Sequence, residues 1–176
     1  MQTVYVVSGP AGAGKSTISK ALAQTLASSA RIEGDVVNHM VAGGYQPPWK
    51  SERLLELTWK NIADLSRNFV RSGMDVVIDY VAFPQEIIRL KQRLREQAEC
   101  KIKYIVLQVK EEELVRRDRL RPASQQMGHR SIELARQFDE NGINQKFILD
   151  TTEMSEGQVD EICHEILTND RYTIED

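Results

Sequence analysis

The sequence predicts an α/β fold of three layers, a five-stranded parallel sheet with helices on both faces. Three observations predict it. Short β-branched and aromatic runs alternate with helix-period segments five times along the 176 residues. DVVIDY is nearly continuously apolar, as in a strand covered on both sides. A glycine-rich loop joins the first strand directly to the first helix, the opening of a fold with right-handed crossovers.

TVYVVS, residues 3–8, is the first strand, and KSTISKALAQTLASS has helical period. ARIEGD reads as the second strand, ending on Asp35, and VVNHMVA as a brief helix that stops at Gly43 and Gly44. Ser51 offers an N-cap to a longer helix. In it Leu55, Trp59, Ile62, Leu65 and Phe69 recur at three- and four-residue steps, and Gly73 supplies the stop. DVVIDY is expected at the centre of the sheet. Residues 84–98 return to helical period with Pro84 near the start, and KIKYIVLQVK is the fourth strand. A helix over 111–120, an arginine-bearing lid, a helix from Ser131, the strand KFILD and the closing helix SEGQVDEICHEIL complete the chain.

Composition bounds the function. A hydrophobic share of 41% and a charged share of 28% describe a globular protein, neither disordered nor membrane-embedded. The net charge of -3 lacks the broad positive field that long nucleic acids require. No run approaches the ~20 apolar residues of a membrane span, and MQTVYVV has no leader-like pattern, so a cytoplasmic protein is expected. Cys100 and Cys163 stand in neither disulfide nor zinc spacing and read as reduced structural thiols. One domain over 1–176 is expected, as a monomer or a homodimer.

The chemistry is carried by GPAGAGKST. Gly9, Gly14, Lys15 and Ser16 meet the G-x-x-x-x-G-K-[ST] pattern between a strand and a helix. A loop wrapped round a polyphosphate aims successive backbone N–H groups inward, and Gly9, Gly12 and Gly14 permit the close approach. The nucleotide-binding segment is therefore Gly9, Pro10, Ala11, Gly12, Ala13, Gly14, Lys15, Ser16 and Thr17, for ATP. Lys15 adds charge for the outer phosphates, and the Ser16 hydroxyl suits Mg2+ at the positive end of the helix dipole. Asp79, at the end of DVVIDY, stands where a carboxylate holds Mg2+ through water; a strand-end turn residue is the alternative. No Asp-x-x-Gly and Asn-Lys-x-Asp pair marks a switch GTPase. Tyr80, where an ATPase motor would carry a water-activating glutamate, argues against water as acceptor.

On these motifs, and on Asp35 in IEGD, the chain resembles the nucleoside monophosphate kinase-like superfamily. The likeness is to its gluconate kinase, adenylylsulfate kinase and chloramphenicol phosphotransferase branches, over nearly the whole length. The resemblance implies an ATP-dependent phosphotransferase acting on a small molecule, gluconate-like or otherwise. It also implies that Asp35 holds or deprotonates the acceptor hydroxyl. N-capping of a helix starting at Val36 is the competing role for that residue. Residues 36–73 become a helical acceptor insert and 117–131 a lid. The resemblance further implies Arg117 near the adenine, Arg121 on the phosphates, Arg130 reaching in, and the loop Asp150 to Glu153 bordering the base. NHMVAGGYQPPW resembles the acceptor region of gluconate kinases but lacks the acidic and arginine residues before its Pro-Trp. His39, Tyr45, Trp49, Arg53 and Asp79 complete the expected acceptor side. A nucleotide or polynucleotide-end kinase, and an ATP-binding regulatory protein with little turnover, remain open alternatives.

Overall fold

The computed structural model of the chain describes residues 1–96, 98–123 and 126–175. The strands are β1 (Gln2–Ser8), β2 (Ser29–Glu33), β3 (Asp75–Asp79), β4 (Cys100–Gln108) and β5 (Ile148–Asp150), in spatial order β2-β3-β1-β4-β5. Every neighbouring pair is parallel. The chain runs outward from β1 to β2, returns to β3, and then passes β1 to reach β4 and β5. The strand expected at the centre, β3, therefore lies one place off it, and β1 takes the middle because both β3 and β4 pair with it.

Helices α1 (Lys15–Thr25), α2 (Gly34–His39), α3 (Glu52–Arg71), α4 (Pro84–Arg95), α5 (Glu111–Arg119), α6 (His129–Glu140) and α7 (Val159–Thr168) connect and flank the strands. Alternation along β1 sorts the core into two layers. Val4 and Val6 pack with Trp59, Ile62, Leu90, Leu134 and Phe138 of α3, α4 and α6. Tyr5 and Val7 pack on the other face with Ile18, Leu22, Leu114, Cys163 and Ile166 of α1, α5 and α7. Both faces of the sheet are thus covered, as a parallel sheet requires. The Ser51 hydroxyl caps α3 by accepting the Leu54 N–H at 3.3 Å, and Trp59 on the buried stripe is 6% exposed.

Several boundaries differ from those expected. β2 stops at Glu33, and Gly34 and Asp35 already belong to α2, because Gly34 must seat against the ring of Tyr80. Asp35 therefore sits in the first turn of α2 instead of ending β2 or capping a helix that starts at Val36. α1 ends at Thr25, since Ser29 is already in β2. α4 ends at Arg95, and Gln97 of its expected last turn lies outside the described residues. α6 begins at His129, two residues before Ser131.

Because all five strands are parallel, their C-terminal ends share one edge of the sheet. The loop after β1, the first turn of α2, the segment after β3 and the loop after β5 all gather there. Cys100 and Cys163 are free thiols. Among the described residues no helix is long and apolar enough to cross a membrane.

Candidate active site

The six residues after β1 fold into a tight loop with positive φ at Gly9, Gly12 and Gly14. At Gly9 a Cβ would stand 2.5 Å from the Leu107 carbonyl oxygen, so β4 itself bars any side chain there. Gly14 is the N-cap of α1, with no side-chain cap and no acidic residue in the first turn. The first amides of α1 have no intrahelical carbonyl to bond, and the positive end of the helix dipole faces the loop. Such an end suits an anion.

Two hydroxyls brace the loop from outside. Ser8 Oγ donates to the Ala82 carbonyl at 3.0 Å and accepts the Ala82 N–H at 2.8 Å, tying β1 to the segment after β3. Thr151 Oγ1 donates to the Ala13 carbonyl at 3.2 Å, tying the loop after β5 to the glycine loop. Inside, Lys15 Nζ donates to the carbonyls of Gly9 and Pro10, each at 3.0 Å. Burial pushes the Lys15 pKa down to about 8, Arg121 acts in the same direction, and Asp79 and Asp35 oppose them. Lys15 thus lies within electrostatic reach of two carboxylates and a guanidinium.

Asp79 is buried, and its Oδ2 takes two partners: Arg31 Nη2 at 2.6 Å and the Ser19 hydroxyl at 3.1 Å. Arg31 also donates to Ser19 Oγ at 3.0 Å and pairs with Glu33 at 2.7 Å. Ser16 and Asp79 offer oxygen donors only, the set that suits Mg2+. With Oδ2 already engaged, Asp79 fits better as a partner of metal-bound water than as a direct ligand. Among the described residues no group of three or more His, Cys, Asp or Glu converges, so a cation here would depend on phosphate oxygens and water.

Asp35 lines a cleft of about 380 Å³ that opens onto Ala11 of the glycine loop. Asp35 is exposed as a residue, yet burial around its carboxyl raises its pKa above the ordinary carboxylate value. Lys15 opposes this rise and Asp79 reinforces it. Trp49, Tyr80 and Phe83 supply aromatic walls, and Glu86 and Arg130 stand among them. The Arg130 guanidinium lies 5.1 Å from the Trp49 ring centroid and pairs with Glu133 at 3.1 Å. One side chain thereby joins α6 to the single-turn helix Pro48–Lys50.

At the far side of the glycine loop, Arg117 Nη2 donates to the carbonyls of Thr151 and Thr152 at 2.7 and 3.0 Å, and Nε donates to Glu113 at 2.8 Å. Hydrogen bonds from Arg116 and Arg117 hold the Glu113 carboxyl down at about 2. Arg117 thus fastens α5 to the loop after β5. Asp118 ties α5 to the residues just ahead of α6 by accepting the N–H groups of Met127 and Gly128 at 2.9 and 2.7 Å. Ser124 and Gln125, within the expected lid, lie outside the described residues.

Residues 4–141 match the family described as an AAA domain, more than half of the chain. The chain belongs to that family. Its fold is shared with a sugar kinase from Janibacter sp. HTCC2649, at TM-score 0.71 and 16% identity over 95% of each chain. It is shared too with a gluconokinase from Sinorhizobium meliloti 1021, at 0.61 and 19% identity over 94% of this chain and 89% of that one. A chain of an RNA repair complex aligns at 0.54 and 20% identity, over 81% of this chain and 46% of the other. No curated protein matches the chain in sequence. The architecture is that of the P-loop kinase-like proteins which the motifs resemble.

Within this AAA-family domain, Lys15 lies within electrostatic reach of Asp35, Asp79 and Arg121, and Asp35, Trp49 and Arg130 share the cleft with Ala11 of the glycine loop. Four expected acceptor residues stay out of its lining. His39 and Tyr45 are exposed and engage each other, Tyr45 Oη lying 3.1 Å from His39 Nε2. Arg53 is exposed because α3 turns Leu55 to the cleft and buries Leu54. Asp79 does not line the cleft, since Arg31 and Ser19 hold its carboxylate in the buried edge beside β2 and α1. The sequence analysis does not single out Arg31, Ser8, Asp118 or Glu86, and it includes Thr151 only as part of the loop Asp150 to Glu153. Only Asp118 carried a local signal, a carboxylate just ahead of a glycine-bearing turn.

Proposed function

We propose that the chain transfers the γ-phosphoryl group of ATP to a hydroxyl of a small molecule held beside Asp35. One observation carries the reading. Asp35, a carboxylate with a raised pKa, lines a cleft that opens onto Ala11 of the glycine loop, whose Lys15 has a lowered one, so the γ-phosphate and the acceptor would meet there. The first turn of α1 and the amides from Gly9 to Ser16 receive the phosphates, and Arg117 with the loop after β5 borders the base. The acceptor oxygen bonds to the γ-phosphorus as the bond to the β–γ bridging oxygen breaks. ADP leaves with that electron pair, and the hydroxyl proton passes to Asp35. Lys15 and Arg121 stabilise the negative charge on the transferring group. Mg2+, held through Ser16 and the water partners of Asp79, would neutralise the polyphosphate. Residues 36–73 serve as the acceptor-facing insert and 117–131 as the lid, on one domain. A cytoplasmic setting agrees with two free thiols.

The test is ADP release across a panel of hydroxyl compounds with gluconate as the reference member. A kinase shows release that rises sharply with at least one acceptor. Tight ATP binding with no acceptor-stimulated release identifies a regulatory protein and overturns the reading.

A further inference from the structure

The walls of the cleft beside Asp35 narrow the acceptor further. Trp49, Leu55, Tyr80, Phe83, Met127 and Leu134 make most of its surface apolar or aromatic. The Tyr80 hydroxyl accepts a hydrogen bond from Asn38 Nδ2 at 3.3 Å, and burial pushes its pKa up to about 12, so it stays a neutral phenol. A polyol placed here would leave hydroxyls unpaired against these walls.

Charge points the same way. Asp35 and Glu86 are the acids of the lining, and Arg130 is its one base among the described residues. Arg130 is already engaged by Glu133 and the Trp49 ring. Glu86 Oε2 accepts the Phe83 N–H at 2.9 Å, which fixes that carboxylate at the cleft wall. Among the groups of the lining, an anionic acceptor would meet two carboxylates and one guanidinium that already has partners. Trp49, 55% exposed, offers an indole face that an apolar ring would cover.

We infer that the acceptor is a neutral alcohol with an apolar, ring-bearing body, and that Glu86 with Asp35 turns anionic acceptors away. This deepens the kinase reading and rests on it for the role of the hydroxyl. The recognition itself is a binding property that can be measured without turnover.

Of the two tryptophans, Trp59 is 6% exposed, so fluorescence quenching by a cleft ligand reports Trp49. The full chain, saturated with ADP and Mg2+, is titrated with 4-nitrobenzyl alcohol, gluconate and adenosine monophosphate, with Trp49→Phe as control. The alcohol should bind at least about tenfold more tightly than either anion. In Glu86→Gln, which keeps an acceptor for the Phe83 N–H, anion affinity should rise about threefold or more while that of the alcohol stays within about twofold. An anion that matches the alcohol, or anion affinities indifferent to Glu86, overturns the inference. If the alcohol binds as stated but no acceptor stimulates ADP release, the kinase reading fails and this one stands. If gluconate is bound tightly and phosphorylated, the kinase reading stands and this one fails.

Discussion

The ring of Tyr80 leaves no room for a side chain at Gly34: a Cβ there would stand 2.2 Å from Tyr80 Cγ. Tyr80 follows the last residue of β3 and Gly34 opens α2, so this contact joins two elements that pair through β2 and β3. The next residue after Gly34 is Asp35. Ring and backbone in contact thus fix where the proposed acceptor carboxylate stands.

Gly34→Ala should therefore shift α2 and misplace Asp35. Overpacking against a buried ring costs about 1–3 kcal/mol, readable by denaturant unfolding. Phosphoryl transfer should fall by about 100-fold while ATP affinity stays within about twofold, because the glycine loop is untouched.

The raised pKa of Asp35 has a stability consequence of fixed sign. Between the unfolded value of 3.8 and the higher folded value, the folded protein holds the proton and the unfolded chain does not. Stability therefore falls as pH rises through that window, and the ionised carboxylate burdens the fold at neutral pH. Asp35→Asn should raise the melting temperature at neutral pH, with the gain vanishing below the unfolded value. The wild-type rate should also fall on acidification above the ordinary carboxylate range, as the base becomes protonated.

Lys15, lowered to about 8, predicts how nucleotide binding responds to alkali. A polyphosphate favours the protonated ammonium, so binding above that pH requires proton uptake. Affinity for ATP should weaken as pH rises through about 8. Calorimetry in buffers of different ionisation enthalpy should show the proton uptake, and Lys15→Met should abolish both the pH dependence and the uptake.

Arg31 and Asp79 predict an asymmetry between variants. Arg31→Met leaves the buried Asp79 carboxylate with Ser19 alone and should cost about 2–4 kcal/mol of stability. Asp79→Asn keeps an acceptor for both partners, so the loss should be smaller. Equilibrium unfolding of the two variants, side by side, measures the difference.

The glycine loop was legible because its signal is local: spacing, glycines, a lysine and a hydroxyl all fall within nine residues between a strand and a helix. The long helix was legible for the same reason, through the Ser51 cap and the stripe around Trp59. Asp35 was picked out as the carboxylate facing the loop but placed on the wrong element, because the pressure that starts α2 at Gly34 comes from Tyr80, 46 positions away. Arg31 went unread because an arginine near a sheet edge looks solvated until β3 brings Asp79 beside it. His39 and Tyr45 have the right chemistry in the right segment, but they satisfy each other outside the cleft. Ser8 and Thr151 brace the loop through partners 74 and 138 positions distant, which no local pattern reveals.

The most direct measurement is a single turnover of radiolabelled ATP prebound to the protein, started by an acceptor found in the ADP-release panel. The wild type should pass the label to the acceptor. Asp35→Asn should bind ATP within about twofold of wild type and transfer the label at least about 100-fold more slowly. Transfer at the wild-type rate by Asp35→Asn, or loss of ATP binding as its only defect, would contradict the account.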